Sequence, residues 1–106
     1  MTRFLLLYRG PPPVNPTHEG WPEWFDGIGD ALVDPGSPMR SGVVVRSDGS
    51  TSDAVNGPLG YCIVRAADRA GALELVRDHP LWRSGDAYTI EIFEVPREAR
   101  QRGAAR

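Results

Sequence analysis

Two short apolar stretches decide the fold: residues 4–8, FLLLY, and residues 60–66, GYCIVRA. The first is closed by the breakers of residues 10–13, GPPP. Short apolar segments bounded by such breakers are typical of strands rather than helices. Both strands are apolar at consecutive positions, so we expect each to be apolar on both faces of a sheet.

A helix with one apolar stripe is predicted after the first strand, starting around Trp21 or Pro22, and the breakers at residues 34–36 (DPG) are expected to end it. Pro22 suits the first turn. Residues 42–46, GVVVR, predict the second main strand, followed by a turn at Asp48-Gly49. Residues 50–57 either add a weak strand or stay irregular. The stripe of the helix consists of Trp21, Trp24, Phe25, Ile28 and Leu32.

The second half of the chain predicts one more helix and one more strand. Asp68 is a suitable N-cap for a helix that runs to about His79, where Pro80 stops it. At that position His79 is expected to cap the last carbonyl groups of the helix. Residues 87–95 alternate between two faces and predict the last strand.

The resulting order is strand, helix, strand, strand, helix, strand. This order is that of the ferredoxin-like βαββαβ fold, an α+β arrangement in which two helices cover one face of an antiparallel sheet. Residues 1–95 are predicted to form this single domain. Residues 96–106 are rich in arginine and poor in apolar side chains, so we expect a flexible tail.

The two helices leave one sheet face without a cover. In the first strand Phe4 and Leu6 point one way while Leu5 and Leu7 point the other. A bare apolar face is rare on a soluble monomer. We therefore expect a homodimer in which two copies pack sheet against sheet, as in a dimeric α/β barrel.

Composition excludes several classes of function. The 106 residues carry a net charge of −2 without a basic block, which argues against nucleic-acid binding. No apolar run approaches the ~20 residues needed to cross a bilayer, so no membrane partner is expected. The single cysteine, Cys62, cannot form an internal disulfide, and we expect a cytoplasmic protein. Cys62 lies within a strand and is expected to be a buried apolar residue rather than a nucleophile.

The sequence resembles the YCII-related (YciI-like) family over most of its length. The residues that carry the resemblance are RFLLLY at 3–8, the tryptophan-rich helix that leads into DALVDPGSP at 30–38, GYCIVRAAD at 60–68, HPL at 79–81, SGD at 84–86 and IEIFE at 90–94. In addition, NGPL at 56–59 is similar to a degraded Asp-Gly-Pro-Phe signature of the DGPF-domain proteins.

The resemblance implies a small bacterial cytosolic protein with a ferredoxin-like fold, usually dimeric. The YciI-like branch has a proposed histidine–aspartate centre, and a relative that degrades chloroaromatics eliminates HCl. That aspartate ends the first strand, where this chain has Arg9, while His18 lies near the place of the histidine. Asp34 could replace the acid only across a helix of about 18 Å.

His18 and Arg9 are the candidate catalytic residues. A histidine suits proton transfer at neutral pH, and Arg9 at a strand end could steady an oxyanion. Neighbouring acids that could orient His18 are Glu19, Glu23 and Asp26. The alternative interpretations are a loop histidine without a role and an arginine in a rim salt bridge.

A ligand pocket is predicted from aromatic and polar residues near the end of the first strand. Its candidate lining is Tyr8, Arg9, Trp24, Tyr61 and Tyr88, with Asp34 as a further ligand-binding candidate. The alternative is that these aromatic rings belong to the core or to a dimer interface. No metal or cofactor is expected, because the sequence holds neither a set of ligands at metal spacing nor a phosphate-binding glycine loop.

Three functions follow. The first is a small dimeric protein that binds an anionic or aromatic metabolite. The second is a cofactor-independent lyase or isomerase with His18 as general base. The third is a signalling partner, because DGPF-type relatives are associated with extracytoplasmic-function sigma factors.

Overall fold

The computed structural model describes residues 1–12, 19–54 and 57–96. His18, residues 55–56 and residues 97–106, which hold most of the predicted tail, lie outside these ranges. The elements are β1 (Thr2–Arg9), α1 (Trp21–Ile28), a 3-10 helix (Gly29–Ala31), β2 (Leu32–Pro38), β3 (Gly42–Val45), β4 (Thr51–Ala54), β5 (Gly60–Ala66), α2 (Arg69–Leu75), a second 3-10 helix (Pro80–Ser84) and β6 (Thr89–Val95).

Four strands form the main sheet in the order β2-β5-β1-β6, with every neighbouring pair antiparallel. β3 and β4 form a separate two-stranded sheet. The protein is therefore an α+β domain with two helices and a four-stranded antiparallel sheet, compatible with the ferredoxin-like fold. This part of the predicted fold class is confirmed.

The prediction of the second main strand was wrong. Helix α1 ends at Ile28, and Gly29 follows it with a φ of 54°. The strand that enters the main sheet is β2, whereas Gly42–Val45 belongs to the separate hairpin. The turn signal of residues 34–36 misled the prediction, because these residues lie inside a strand.

The position of β2 at the edge of the sheet explains how it accepts such residues. Pro35 and Pro38 lack a backbone N–H, which an edge strand tolerates and a central strand does not. Gly36 has a φ of 74°, and the register with β5 shifts between Asp34 and Ser37. A Cβ at Gly36 would collide with the backbone of Tyr61, so only glycine fits this irregularity.

The remaining elements differ from the predictions mainly at their ends. Asp68 is confirmed as the N-cap of α2, since its carboxylate accepts a hydrogen bond of 2.9 Å from the Gly71 N–H. The helix ends at Leu75 rather than near His79, and Pro80 starts a 3-10 helix. Within the segment whose structure was left open, Thr51–Ala54 forms β4.

Both helices pack on the same face of the main sheet. The core on that face contains Phe4, Leu6, Tyr8, Cys62 and Val64 from the strands together with Trp24, Ala72 and Val76 from the helical segments. The alternate strand residues Leu5, Leu7, Ile63 and Phe93 lie on the opposite face, outside the core cluster. We call this second surface the open face. The predicted alternation of the first strand is confirmed.

Candidate ligand-binding face

The structure divides the predicted pocket residues between the two faces of the sheet. Tyr8 and Trp24 are 4% and 9% exposed and belong to the core under the helices. Arg9 follows Tyr8 on β1 and therefore lies on the open face, and Tyr61 is paired with Leu7 on that same face. These four residues do not line a common cavity.

Tyr8 belongs to a hydrogen-bonded chain that crosses the core. The backbone N–H of Leu81 donates to His79 Nδ1 at 3.0 Å. The neutral ring then carries its proton on Nε2 and donates it to Tyr8 Oη at 3.0 Å. The Tyr8 hydroxyl in turn donates to Cys62 Sγ at 3.2 Å. Each member of this chain finds a partner, as buried polar groups require.

Burial keeps this chain in its neutral form. It lowers the pKa of His79 to about 4 and raises the pKa of the Cys62 thiol to about 11, although the hydrogen bond with Tyr8 opposes the second shift. Burial, reinforced by the neighbouring Cys62, raises the pKa of the Tyr8 hydroxyl. Cys62 is 0% exposed, so its predicted burial is confirmed, and a protonated buried thiol is a poor nucleophile.

Two tryptophans close the space around His79. Their ring centroids lie 4.7 Å (Trp21) and 4.3 Å (Trp24) from that of the imidazole. Trp24 Nε1 also donates to the Leu75 carbonyl at 2.9 Å. His79 itself caps the start of the second 3-10 helix by accepting a hydrogen bond from the Leu81 N–H. It does not cap the end of α2, as was predicted. The surroundings of His79 on the helix-covered side are packed structure rather than a pocket.

The open face has an apolar centre with polar ends. Across β6, β1 and β5, Phe93, Leu5 and Ile63 lie side by side, and Phe93 is 49% exposed. Two residues further along β1, Leu7 lies between Glu91 and Tyr61. This surface offers apolar contact in its middle and charged groups at its edge.

Arg9 forms an ion pair at one end of this face. Its Nε lies 2.7 Å from Glu91 Oε1, and both side chains are about two-fifths exposed. The alternative interpretation of Arg9 as a member of a rim salt bridge is therefore observed. Arg9 therefore already has a carboxylate partner within this chain.

The sequence predicted that Asp34 lies at the far end of the first helix, and this prediction was wrong. Asp34 lies in edge strand β2, where it is paired with Ile63, and its carboxylate accepts a hydrogen bond of 2.8 Å from the Gly36 N–H. This contact supports the local turn of β2. Because His18 lies outside the described residues, the structure provides no geometry for an Asp34–His18 pair.

The sequence interpretation missed two arginines at the other end of the open face. Arg3 is paired directly with Arg65 on the neighbouring strand. Within the described part of the chain, Arg3 Nε is buried and has no hydrogen-bond partner, while Arg65 Nε donates to the Asp30 carbonyl at 2.8 Å. Strand alternation was the signal that could have placed both on the face of Leu5 and Ile63.

A separate cavity of about 270 Å³ lies beside the start of α2. Its lining includes Thr2, Asp68 and Glu94 and none of the predicted site residues that the structure describes. Ligand pockets are usually larger, about 300–1,000 Å³. In the ranges the structure describes, no three acidic, histidine or cysteine side chains come together in a group that could hold a metal ion.

Neither helix within the described ranges has the length and apolarity needed to span a membrane. Comparisons with protein-family models, with curated proteins and with solved structures find no significant match for this chain. The geometry of the open face therefore carries the functional argument.

Proposed function

We propose that this chain is a small binding protein of the YCII-related type that acts as a cytoplasmic homodimer and holds a small anionic or aromatic metabolite. The open face is the proposed site of both activities, with the ligand held between the sheets of the two copies. The observation that carries the proposal is the row of Phe93, Leu5 and Ile63 left outside the core, bordered by arginines.

The size of the open face supports a second copy as its cover. β1 has 8 residues and the other three strands of the main sheet have 7. With a rise of about 3.3 Å per residue and a strand spacing of about 4.8 Å, the face measures about 20 by 25 Å. Two copies packed face to face therefore bury about 1,000 Å², which reaches the lower bound for a specific interface.

The chemistry of the face supports the class of ligand. Tyr61 and the half-exposed Phe93 offer aromatic contact, and an arginine guanidinium matches a carboxylate or phenolate oxygen well. No described geometry supports the lyase interpretation, because its general base, His18, lies outside the described residues. Binding is therefore the function that we propose.

The dimer is tested with a matched pair of substitutions. Phe93→Glu places a charge on the open face, whereas Leu73→Glu places one at a similarly exposed leucine of α2 (49% and 54% exposed). At micromolar concentration we expect light scattering to give twice the 11.6 kDa chain mass for the wild type and for Leu73→Glu. Phe93→Glu should give the monomer mass. A wild-type monomer would contradict the dimer.

Ligand binding is tested by titrating the protein with benzoate, phenolate and phenyl phosphate while recording backbone amide NMR shifts. We expect saturable shifts confined to β1, β5 and β6. A panel that produces no saturable shift at millimolar concentration would contradict the binding function and leave the dimer result intact.

A further inference from the structure

The strongest unexplained charge in the described molecule is the arginine pair at the start of β1 and the end of β5. Arg3 and Arg65 are directly opposite each other on neighbouring antiparallel strands. Side chains in such positions lie on the same face with Cβ atoms about 5 Å apart, where like charges destabilise the sheet. Arg3 is partly buried and Arg65 is exposed, so a bound counter-charge would relieve this repulsion.

The described part of the chain does not supply that counter-charge. Its ion pairs, Arg9–Glu91 at 2.7 Å and Arg77–Glu74 at 2.8 Å, use other arginines. Arg3 Nε is buried without a hydrogen-bond partner in the same ranges. Buried donors in native proteins are usually hydrogen-bonded, so a bound water, ion or ligand is the expected partner of this atom.

The two guanidinium groups are held differently. Arg65 Nε donates to the Asp30 carbonyl at 2.8 Å, which fixes the side chain by one nitrogen. Arg3 lies between Arg65 and Val95 in the register of the three strands. Two guanidinium groups side by side, one of them already positioned, can together donate several hydrogen bonds to a carboxylate or phosphate.

Apolar side chains adjoin this charged corner. The next pairs along the same face join Leu5 to Phe93 on one side and to Ile63 on the other. Phe93 is 49% exposed, so its ring offers contact area. A ligand whose anionic group lies on the arginines can extend an apolar body over these residues.

We propose that Arg3 and Arg65 hold the anionic group of a ligand, a carboxylate or a phosphate monoester, while its apolar body lies over Leu5, Ile63 and Phe93. The proposal rests on the proposed binding function and locates its charged contact. It assigns that contact to Arg3 and Arg65, which form no ion pair in the described ranges, and not to Arg9, which already pairs with Glu91.

Titrations of the full chain with four probes test the chemistry. The probes are benzoate, phenyl phosphate, inorganic phosphate and benzyl alcohol. Binding is monitored through the amide NMR shifts of residues 3–5, 63–65 and 93–95. We expect benzoate or phenyl phosphate to bind more tightly than inorganic phosphate, which lacks the apolar body, and than benzyl alcohol, which lacks the charge. Benzoate and phenyl phosphate together show whether the anion is a carboxylate or a phosphate.

Substitutions of single arginines test the site. For the tighter probe, Arg3→Gln and Arg65→Gln should each weaken binding roughly ten-fold or more, as expected for loss of a charged hydrogen bond. Arg3→Lys keeps the charge but not the planar guanidinium group. Its affinity for the probe should therefore lie between those of Arg3→Gln and the wild type. Arg77→Gln removes a positive charge from the surface near α2, and we expect it to change the affinity for the probe by less than about two-fold.

The outcomes separate the two proposals. If the wild type binds and only an Arg9→Gln variant weakens binding, the arginine pair is the wrong site and the binding function stands. Equal effects of Arg77→Gln and Arg3→Gln would also overturn the site, because they would indicate a general charge effect. If no probe binds the wild type, the binding function fails. Thermal melts identify variants that do not fold, and for those Arg3→Lys and Arg65→Lys supply the comparison.

Discussion

The two faces of the main sheet are built from alternate residues of the same strands, yet they differ in kind. Under the helices, Tyr8, His79 and Cys62 complete each other's hydrogen bonds among tightly packed rings. On the open face, Arg3 Nε has no hydrogen-bond partner in the described structure and Phe93 is 49% exposed. The contrast teaches that the first face stabilises the fold, and the second is the face to which we assign the proposed recognition.

Truncation of adjacent leucines is the strongest way to break this comparison. Leu6 is 0% exposed in the core, so Leu6→Ala should lower the free energy of unfolding by about 2–5 kcal/mol at any protein concentration. Leu5 lies on the open face, and Leu5→Ala should cost about 1 kcal/mol in dilute protein. Urea unfolding at low and high protein concentration measures both.

The dependence of the Leu5→Ala cost on protein concentration tests whether a second copy covers the open face. If the open face is covered by a second copy, the cost of Leu5→Ala grows with protein concentration because the folded dimer is stabilised by mass action. Equal and concentration-independent losses at Leu5 and Leu6 would mean that the two faces are equally buried within one chain, contrary to the structure.

Acid should destabilise the helix-covered face through His79. Its pKa is lowered from 6.5 to about 4 in the folded state, so the unfolded chain binds the proton first as the pH falls. The contribution of His79 to stability is complete above pH 6.5 and is lost as the pH falls to about 4. The loss amounts to about 3 kcal/mol.

Urea unfolding of the wild type and of His79→Gln between pH 7 and pH 4 checks this expectation. The variant is less stable at pH 7, because a glutamine does not reproduce the contacts of the imidazole ring, but its stability should change less over this range. Parallel pH curves for the two proteins would show that His79 titrates normally in the folded state.

Strand periodicity predicted much of the fold, and it failed where position in the sheet overrides composition. The apolar runs of β1 and β5 and the cap at Asp68 were visible locally. β2 was not, since its proline and glycine residues favour a turn until its edge position is known. The hairpin valines were assigned to the main sheet instead, because three β-branched residues suit any strand.

The candidate site was less predictable because it depends on contacts between distant segments. Tyr8 bonds to residues 54 and 71 positions away, so no local pattern places it in the core network. The pairing of Arg9 with Glu91 spans 82 positions. By contrast, the sequence did predict that Leu5 and Leu7 point away from the face of Phe4 and Leu6, since alternation along one strand is a local property.

Removal of single hydroxyl groups is the finest test of the comparison. Tyr8→Phe deletes the acceptor of His79 Nε2 and the donor to Cys62 Sγ, which leaves a buried N–H unpaired and should cost about 1–3 kcal/mol. Tyr61→Phe removes the same group from the open face and should change stability by less than about 0.5 kcal/mol. Thermal unfolding of both variants at pH 7 gives the two values. A loss at Tyr61 as large as at Tyr8 would mean that the open face holds a polar network of its own, and the division between a stabilising face and a recognition face would no longer stand.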